Sequence, residues 1–162
     1  QVAFRFEELA SLNRNGLDNV QLYVKTNLGG NFEPLKKVAS GGETSRIMLA
    51  IKSLQTSKRT LPTIIFDEID TGVSGEIANK MGTIMQRLGS KMQVLSITHL
   101  PQIAAKGSQH YKVSKKETGQ KTITEIKRLD QKDRPEEIAM LLSGSEISTA
   151  ALENAQELLR LK

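Results

Sequence analysis

Asp67 and Glu68 stand side by side directly after the apolar run Ile64-Ile65-Phe66, which follows the β-branched Thr63 and has Pro62 at its entrance. That pattern reads as a short buried strand. Burying two carboxylates for stability alone costs several kcal/mol. At the carboxyl end of a buried parallel strand, by contrast, they sit where α/β sheets bind ligands. There an aspartate suits a nucleotide's Mg²⁺, and the following glutamate suits orienting or deprotonating an attacking water. This is the layout of a Walker B strand. The competing reading is a strand that ends in a solvated turn.

Two further groups carry chemistry. Ser40-Gly41-Gly42-Glu43 precedes a helical pattern in which Ile47, Ala50, Ile51 and Leu54 share one face. Glycines let backbone N–H groups approach an anion, and a helix N-terminus adds partial positive charge, so this turn suits phosphate. The plainer alternative is a flexible turn with Ser40 as N-cap. Thr98-His99-Leu100-Pro101 closes a second apolar stretch, Met92 to Ile97. Between the two stretches a helix is expected, capped by Ser74, with Ile77, Met81, Ile84, Met85 and Leu88 inward and Gly89 at its end. A strand–helix–strand order implies a crossover and a parallel pair. His99 would then emerge on the same sheet edge as Asp67 and Glu68, rather than serve as an ordinary structural hydrogen-bonder.

The remaining elements frame this core. Gln1 to Phe6 alternates from the first residue, without an initial Met, which suggests a piece of a longer protein. Asn13 to Gly16 marks a turn, and Asn19 to Thr26 alternates as a half-buried strand. Gln109–Ser114 and Lys121–Arg128 read as a hairpin around Glu117 to Gln120, with Val113, Ile123 and Ile126 supplying apolar contacts, lysines facing solvent and His110 an ordinary strand residue. A short helix from Asp133 carries Ile138, Leu141 and Leu142 and stops at Gly144. A last one, roughly Ser148 to Leu161, packs Ala151, Leu152, Ala155, Leu158 and Leu159. The expected organisation is a strand-rich lead-in over 1–35, a core over 36–105, a basic hairpin over 106–132 and C-terminal helices over 133–162.

Composition bounds the class. A chain of 162 residues, 38% hydrophobic and 25% charged, is an ordinary globular domain or a large piece of one. Aromatic residues make up only 4% and Trp is absent, so the core must be aliphatic. The absence of Cys removes disulfide scaffolds and thiolate metal sites and fits a reducing compartment. No apolar run approaches the roughly 18 residues of a spanning helix, so no membrane role and a cytoplasmic location are expected. The net charge of +5 lies wholly within Lys106–Arg134, where nine Lys/Arg face four Asp/Glu. Such a segment could draw an acidic partner such as DNA, or be a solvated hairpin.

Taken in order, Ser40-Gly41-Gly42-Glu43, Asp67-Glu68, Asp70 in a Gly/Ser loop and Thr98-His99 resemble the second half of an ABC-type ATPase head: signature motif, Walker B, D-loop and switch histidine. The longer blocks Val38–Ala50, Ile65–Gly75, Thr98–Gln102 and His110–Lys115 are similar to those of the RecN family of DNA-repair proteins, relatives of the structural-maintenance-of-chromosomes (SMC) ATPases. Thr44 and Thr71 depart from the family's more hydrophobic or acidic residues. No Gly-x-x-x-x-Gly-Lys-Ser/Thr occurs, so the phosphate-cradling P-loop is missing from the chain. The resemblance implies a P-loop NTPase-like α/β C-terminal lobe, with the P-loop in an N-terminal lobe beyond a coiled coil. It also implies ATP and Mg²⁺, DNA as a partner, and a second head in an ATP-sandwiched homodimer. Asp67 would support the metal, Glu68 polarise the attacking water and His99 bond the γ-phosphate. Ser40, Gly41, Gly42 and Glu43 would serve a nucleotide held by the partner head, and Asp70 would line that interface. By the same resemblance the chain alone would be inactive, and the whole protein would act in recombinational repair of double-strand breaks at the bacterial nucleoid.

Three other readings compete. Asp67-Glu68-Ile69-Asp70 also fits a helicase Asp-Glu-x-Asp box, with Ser96-Ile97-Thr98 loosely matching a downstream motif, but the glycine turn has no counterpart there. A transporter ATPase subunit would continue its Walker B with Pro, where Ile69 stands. A non-enzymatic module would bind DNA or protein through Lys106–Arg134.

Overall fold

The computed structural model describes residues 1–25, 29–37, 41–55, 62–119, 121–144 and 146–160. It falls into two compact units, Gln1–Ile51 and Lys52–Lys162.

In the first unit, β1 (Val2–Asn13) and β2 (Gly16–Val24) form an antiparallel hairpin with a register shift between Glu8 and Asn13. Gly16 closes its turn at φ +112°, a conformation open to glycine alone. Cross-strand pairs Val2/Val24, Phe4/Leu22 and Phe6/Val20 place the apolar set on one face. Arg5 sits over the Tyr23 ring on the other, 4.2 Å from its centroid. The far end is closed by Lys25 N–H donating to the Gln1 carbonyl at 2.9 Å. A two-residue β3 (Glu33–Pro34) extends the sheet beside β2. Helix α1 (Gly41–Gln55) follows. Its expected apolar face is only partly covered: Ile47 and Ile51 are half-buried and Ala50 and Leu54 exposed, while Leu49, outside that set, is buried. Periodicity marks an apolar stripe without saying which part of it finds a neighbour.

In the second unit, β4 (Thr63–Asp67) and β5 (Gln93–Ile97) pair in parallel from Thr63↔Gln93 to Asp67↔Ile97, joined by α2 (Gly75–Gly89). Helix α2 buries Ala78, Met81, Gly82, Met85 and Leu88; Ile77, expected inward, is 55% exposed. Gly82 lets α3 (Pro101–Ala104) come close, since a β-carbon there would lie 3.2 Å from the Gln102 carbonyl oxygen. Ser74 holds the N-cap position, but its side chain makes no capping bond.

Helices α4 (Arg134–Ser143) and α5 (Thr149–Arg160) pack through Ile138, Ala139, Ala151 and Ala155 against Ala105, with Leu141, Leu152, Leu158 and Leu159 at the margin. Gly144 ends α4 at φ +81° as expected, and Ser148 Oγ accepts from Ala151 N–H at the start of α5. Arg134, 1% exposed, staples α4 to the turn after α3 by donating to the carbonyls of Ala105 (3.2 Å) and Gly107 (2.8 Å).

Strands β6 (Tyr111–Thr118) and β7 (Lys121–Arg128) form the expected hairpin, but its apolar residues do not make a core. Val113, Ile123 and Ile126 are all exposed, because two strands with no covering layer have no inner face. Nor do all the lysines simply face water: Lys112 pairs with Glu137 and Lys116 with Glu125, each at 2.5 Å. His110 precedes β6 instead of lying within it; its carbonyl accepts from Leu129 N–H at 2.9 Å. Its imidazole is half-buried, and burial, with Arg134 and Lys112 nearby, holds it below the ordinary value despite the opposing charge of Glu137.

Candidate active site

The parallel register sets the site. Asp67 is level with Ile97, and Glu68 N–H donates to the Ile97 carbonyl at 3.2 Å, so β4 and β5 end together. Glu68 then takes φ +47°, a left-handed conformation that costs a non-glycine residue about 1 kcal/mol. Thr71 holds this turn through two bonds to the Glu68 carbonyl, from its hydroxyl at 2.9 Å and its N–H at 3.3 Å. The turn leaves Asp67 and Glu68 exposed and sends Ile69 and Asp70 inward. Val73, also buried, ties back through its N–H to the Asp70 carbonyl at 3.1 Å.

On the neighbouring strand, Thr98 and His99 follow β5 directly. His99 is exposed and leaves the sheet at the same edge as Asp67 and Glu68. Pro101 opens α3, with Leu100 extended at φ −90°, ψ 122° before it. Thr98 hydroxyl donates to Asp70 Oδ2, and its oxygen accepts from Leu100 N–H at 3.0 Å.

Asp67, Glu68 and His99 thus leave the β4–β5 pair at the same edge, and Asp70 follows in the turn after β4. Asp70 differs from expectation in one respect: its side chain does not line a surface but is 1% exposed and engaged by Thr98. The left-handed turn at Glu68 is what directs it inward. Gly41 and Gly42 open α1 in the other unit. Ser40 lies outside the described residues, as does the side chain of Glu43. Thr98 was named in the sequence only as the residue before His99; its hydroxyl's role was missed, although a hydroxyl side chain that accepts from the N–H two residues on is a recognisable local turn.

Among the described residues no ion pair or hydrogen bond occupies the side chains of Asp67, Glu68 or His99, and no three His, Asp or Glu converge into a metal cage. That donor set suits a hard cation that keeps most of its ligands as water and phosphate oxygens, taking one carboxylate from the protein. It does not suit a structural metal.

No family model matches the chain. Sequence relatives do. The chain is 46% identical over 95% of its length to the DNA repair protein RecN of Haemophilus influenzae. It is 45% identical over 91% to that of Halalkalibacterium halodurans and 46% identical over 89% to that of Vibrio cholerae. What the chain matches is the C-terminal part of RecN. It spans about a quarter of these RecN proteins, 26–28% of their length. Among solved structures, the Smc head domain with a coiled coil and joint from Pyrococcus yayanosii superposes with a TM-score of 0.61 over 99% of this chain and 26% of that one, at 20% identity. A chain described with ATP-driven dimerization and DNA-stimulated activation of SMC ATPases gives 0.60 over 90% and 84%, at 17% identity. The RecN-like segment therefore has the fold of an SMC head lobe, mixed α/β with parallel and antiparallel strand pairs.

Proposed function

We propose that this chain is the C-terminal lobe of an SMC-like ATPase head that acts, within a longer RecN-type protein, in recombinational repair of DNA double-strand breaks in the bacterial cytoplasm. The observation that carries the reading is the flush end of β4 and β5, which puts Asp67, Glu68 and His99 on one edge. The missing P-loop comes from an N-terminal lobe of the same protein, and the chain by itself is inactive toward ATP.

In this reading Asp67 would hold Mg²⁺ through a bound water, and the ion would supply positive charge against the phosphates. Glu68, on its rigid turn, accepts a hydrogen bond from the water whose oxygen attacks the γ-phosphorus. The water's oxygen bonds the γ-phosphorus as the bond from that phosphorus to the bridging oxygen breaks. The water's proton passes by way of Glu68 to the departing phosphate, and the products are ADP and inorganic phosphate. His99 donates to a γ-phosphate oxygen as charge develops there. Ser40, Gly41, Gly42 and Glu43 serve the nucleotide of a second head, so ATP holds two heads together and hydrolysis parts them. DNA is the macromolecular partner, with the basic hairpin as its contact.

Glu68→Gln in the full-length protein tests this. Its amide keeps the shape but is a far weaker base, so turnover falls about 10²-fold or more while ATP binding persists and closed heads accumulate. Equal turnover in variant and wild type overturns the assignment.

A further inference from the structure

The buried side chain of Asp70 has no part in holding nucleotide in the arrangement described, and burying a carboxylate is costly unless something engages it. Among the described residues it has no cationic partner; its one bond is from the Thr98 hydroxyl to Oδ2, and Oδ1 is buried without a partner. A hydroxyl has one proton to give. Leu100 N–H occupies a lone pair of Thr98 Oγ1, so the relay runs in one direction: Leu100 N–H to Thr98 oxygen, Thr98 proton to Asp70. The relay fixes the residue on each side of His99. At its other end, Asp70 belongs to the turn whose bonds to the Glu68 carbonyl hold Glu68 in its left-handed conformation.

We infer that Asp70 and Thr98 form an internal latch that sets the turn presenting His99 against the turn presenting Glu68. They are positioning residues that never touch substrate. This rests on the proposed roles of Glu68 and His99, because a latch between two turns matters to turnover only if both turns carry reacting groups. The two residues lie 28 apart in sequence, and no other hydrogen bond between side chains links the segments after β4 and β5 among the described residues.

The test uses the full-length protein. Thr98→Val keeps the shape and removes the hydroxyl; Thr98→Ser keeps the hydroxyl and removes the methyl. Steady-state ATP hydrolysis and the NMR resonance of the His99 imidazole are read together. The expected result for Thr98→Val is a kcat lower by about tenfold with KM for ATP within about twofold, and a shifted His99 resonance. Thr98→Ser restores both. Asp70→Asn, which keeps an acceptor oxygen, combined with Thr98→Val is no worse than Thr98→Val alone, as two members of one relay require. An unmoved His99 resonance in Thr98→Val overturns the latch, whatever the turnover. A moved resonance with wild-type kcat overturns its purpose. Glu68→Gln run beside them separates the two levels: if it hydrolyses like wild type while the Thr98→Val resonance moves, the site assignment fails and the relay stands only as geometry.

Discussion

Residues that neither bind nor react still shape how this chain answers its surroundings, and His110 is the clearest. Its imidazole is held below the ordinary value of about 6.5, first by burial, then by Arg134 and Lys112, against the pull of Glu137. The folded chain therefore keeps it neutral at a pH where the unfolded chain already takes up a proton. Stability is full above about pH 6.5 and declines as pH falls from there toward the lower folded value. Urea unfolding at pH 7.5 and 5.5 should show the midpoint dropping, and His110→Gln should flatten that drop; an unchanged slope would rule the group out. The place of Asp67, Glu68 and His99 at the ends of adjacent strands was legible, because each directly follows an apolar run of strand length; their exposure was not, because the pattern read as carboxylates at the end of a buried strand. The inward turn of Asp70 was not, because it follows from one backbone angle at Glu68 that no side-chain pattern announces.

At the scale of elements, α4 and α5 show how little volume separates a good seam from a poor one. Ile138 is fully buried among four alanines, Ala105, Ala139, Ala151 and Ala155. Alanines hold backbones close and have no side chain to swing into a gap, so Ile138→Ala should leave most of its cavity open and lower stability by about 3 kcal/mol in chemical denaturation. Ile126→Thr on the exposed hairpin is the control and should change stability by less than about 0.5 kcal/mol. The comparison also explains which elements could be read in advance. The α5 face was legible since its partner, α4, directly precedes it in the sequence. The hairpin face was misread and the α1 face only half right, since nothing local says whether an apolar stripe will be met by another layer. Strands β4 and β5 and their parallel pairing were legible because a helix between two such runs implies a crossover, but their burial was misread, since only Phe66 of the two strands is buried.

Across the whole chain, the surplus charge and the uncovered apolar surface matter most. Ile65, Leu95 and Ile97 lie on one face of β4 and β5 and remain exposed. Within the basic segment the lysines are not equivalent, because Lys116 already faces Glu125 across the hairpin. Reversing Lys115, Lys116 and Lys121 to Glu in the full-length protein should lower the slope of log affinity for DNA against log salt by about 2, not 3. An unchanged slope would leave the hairpin merely hydrated. One consequence of the level strand ends reaches beyond the site. Residues 89–92 touch no candidate group, yet they meter how far β5 is paid out before it pairs. Losing one of them would slide β5 by a single position and turn each of its side chains over. Leu100 would stand where the imidazole belongs, and a sheet with the same ladder would have lost its histidine to a miscount.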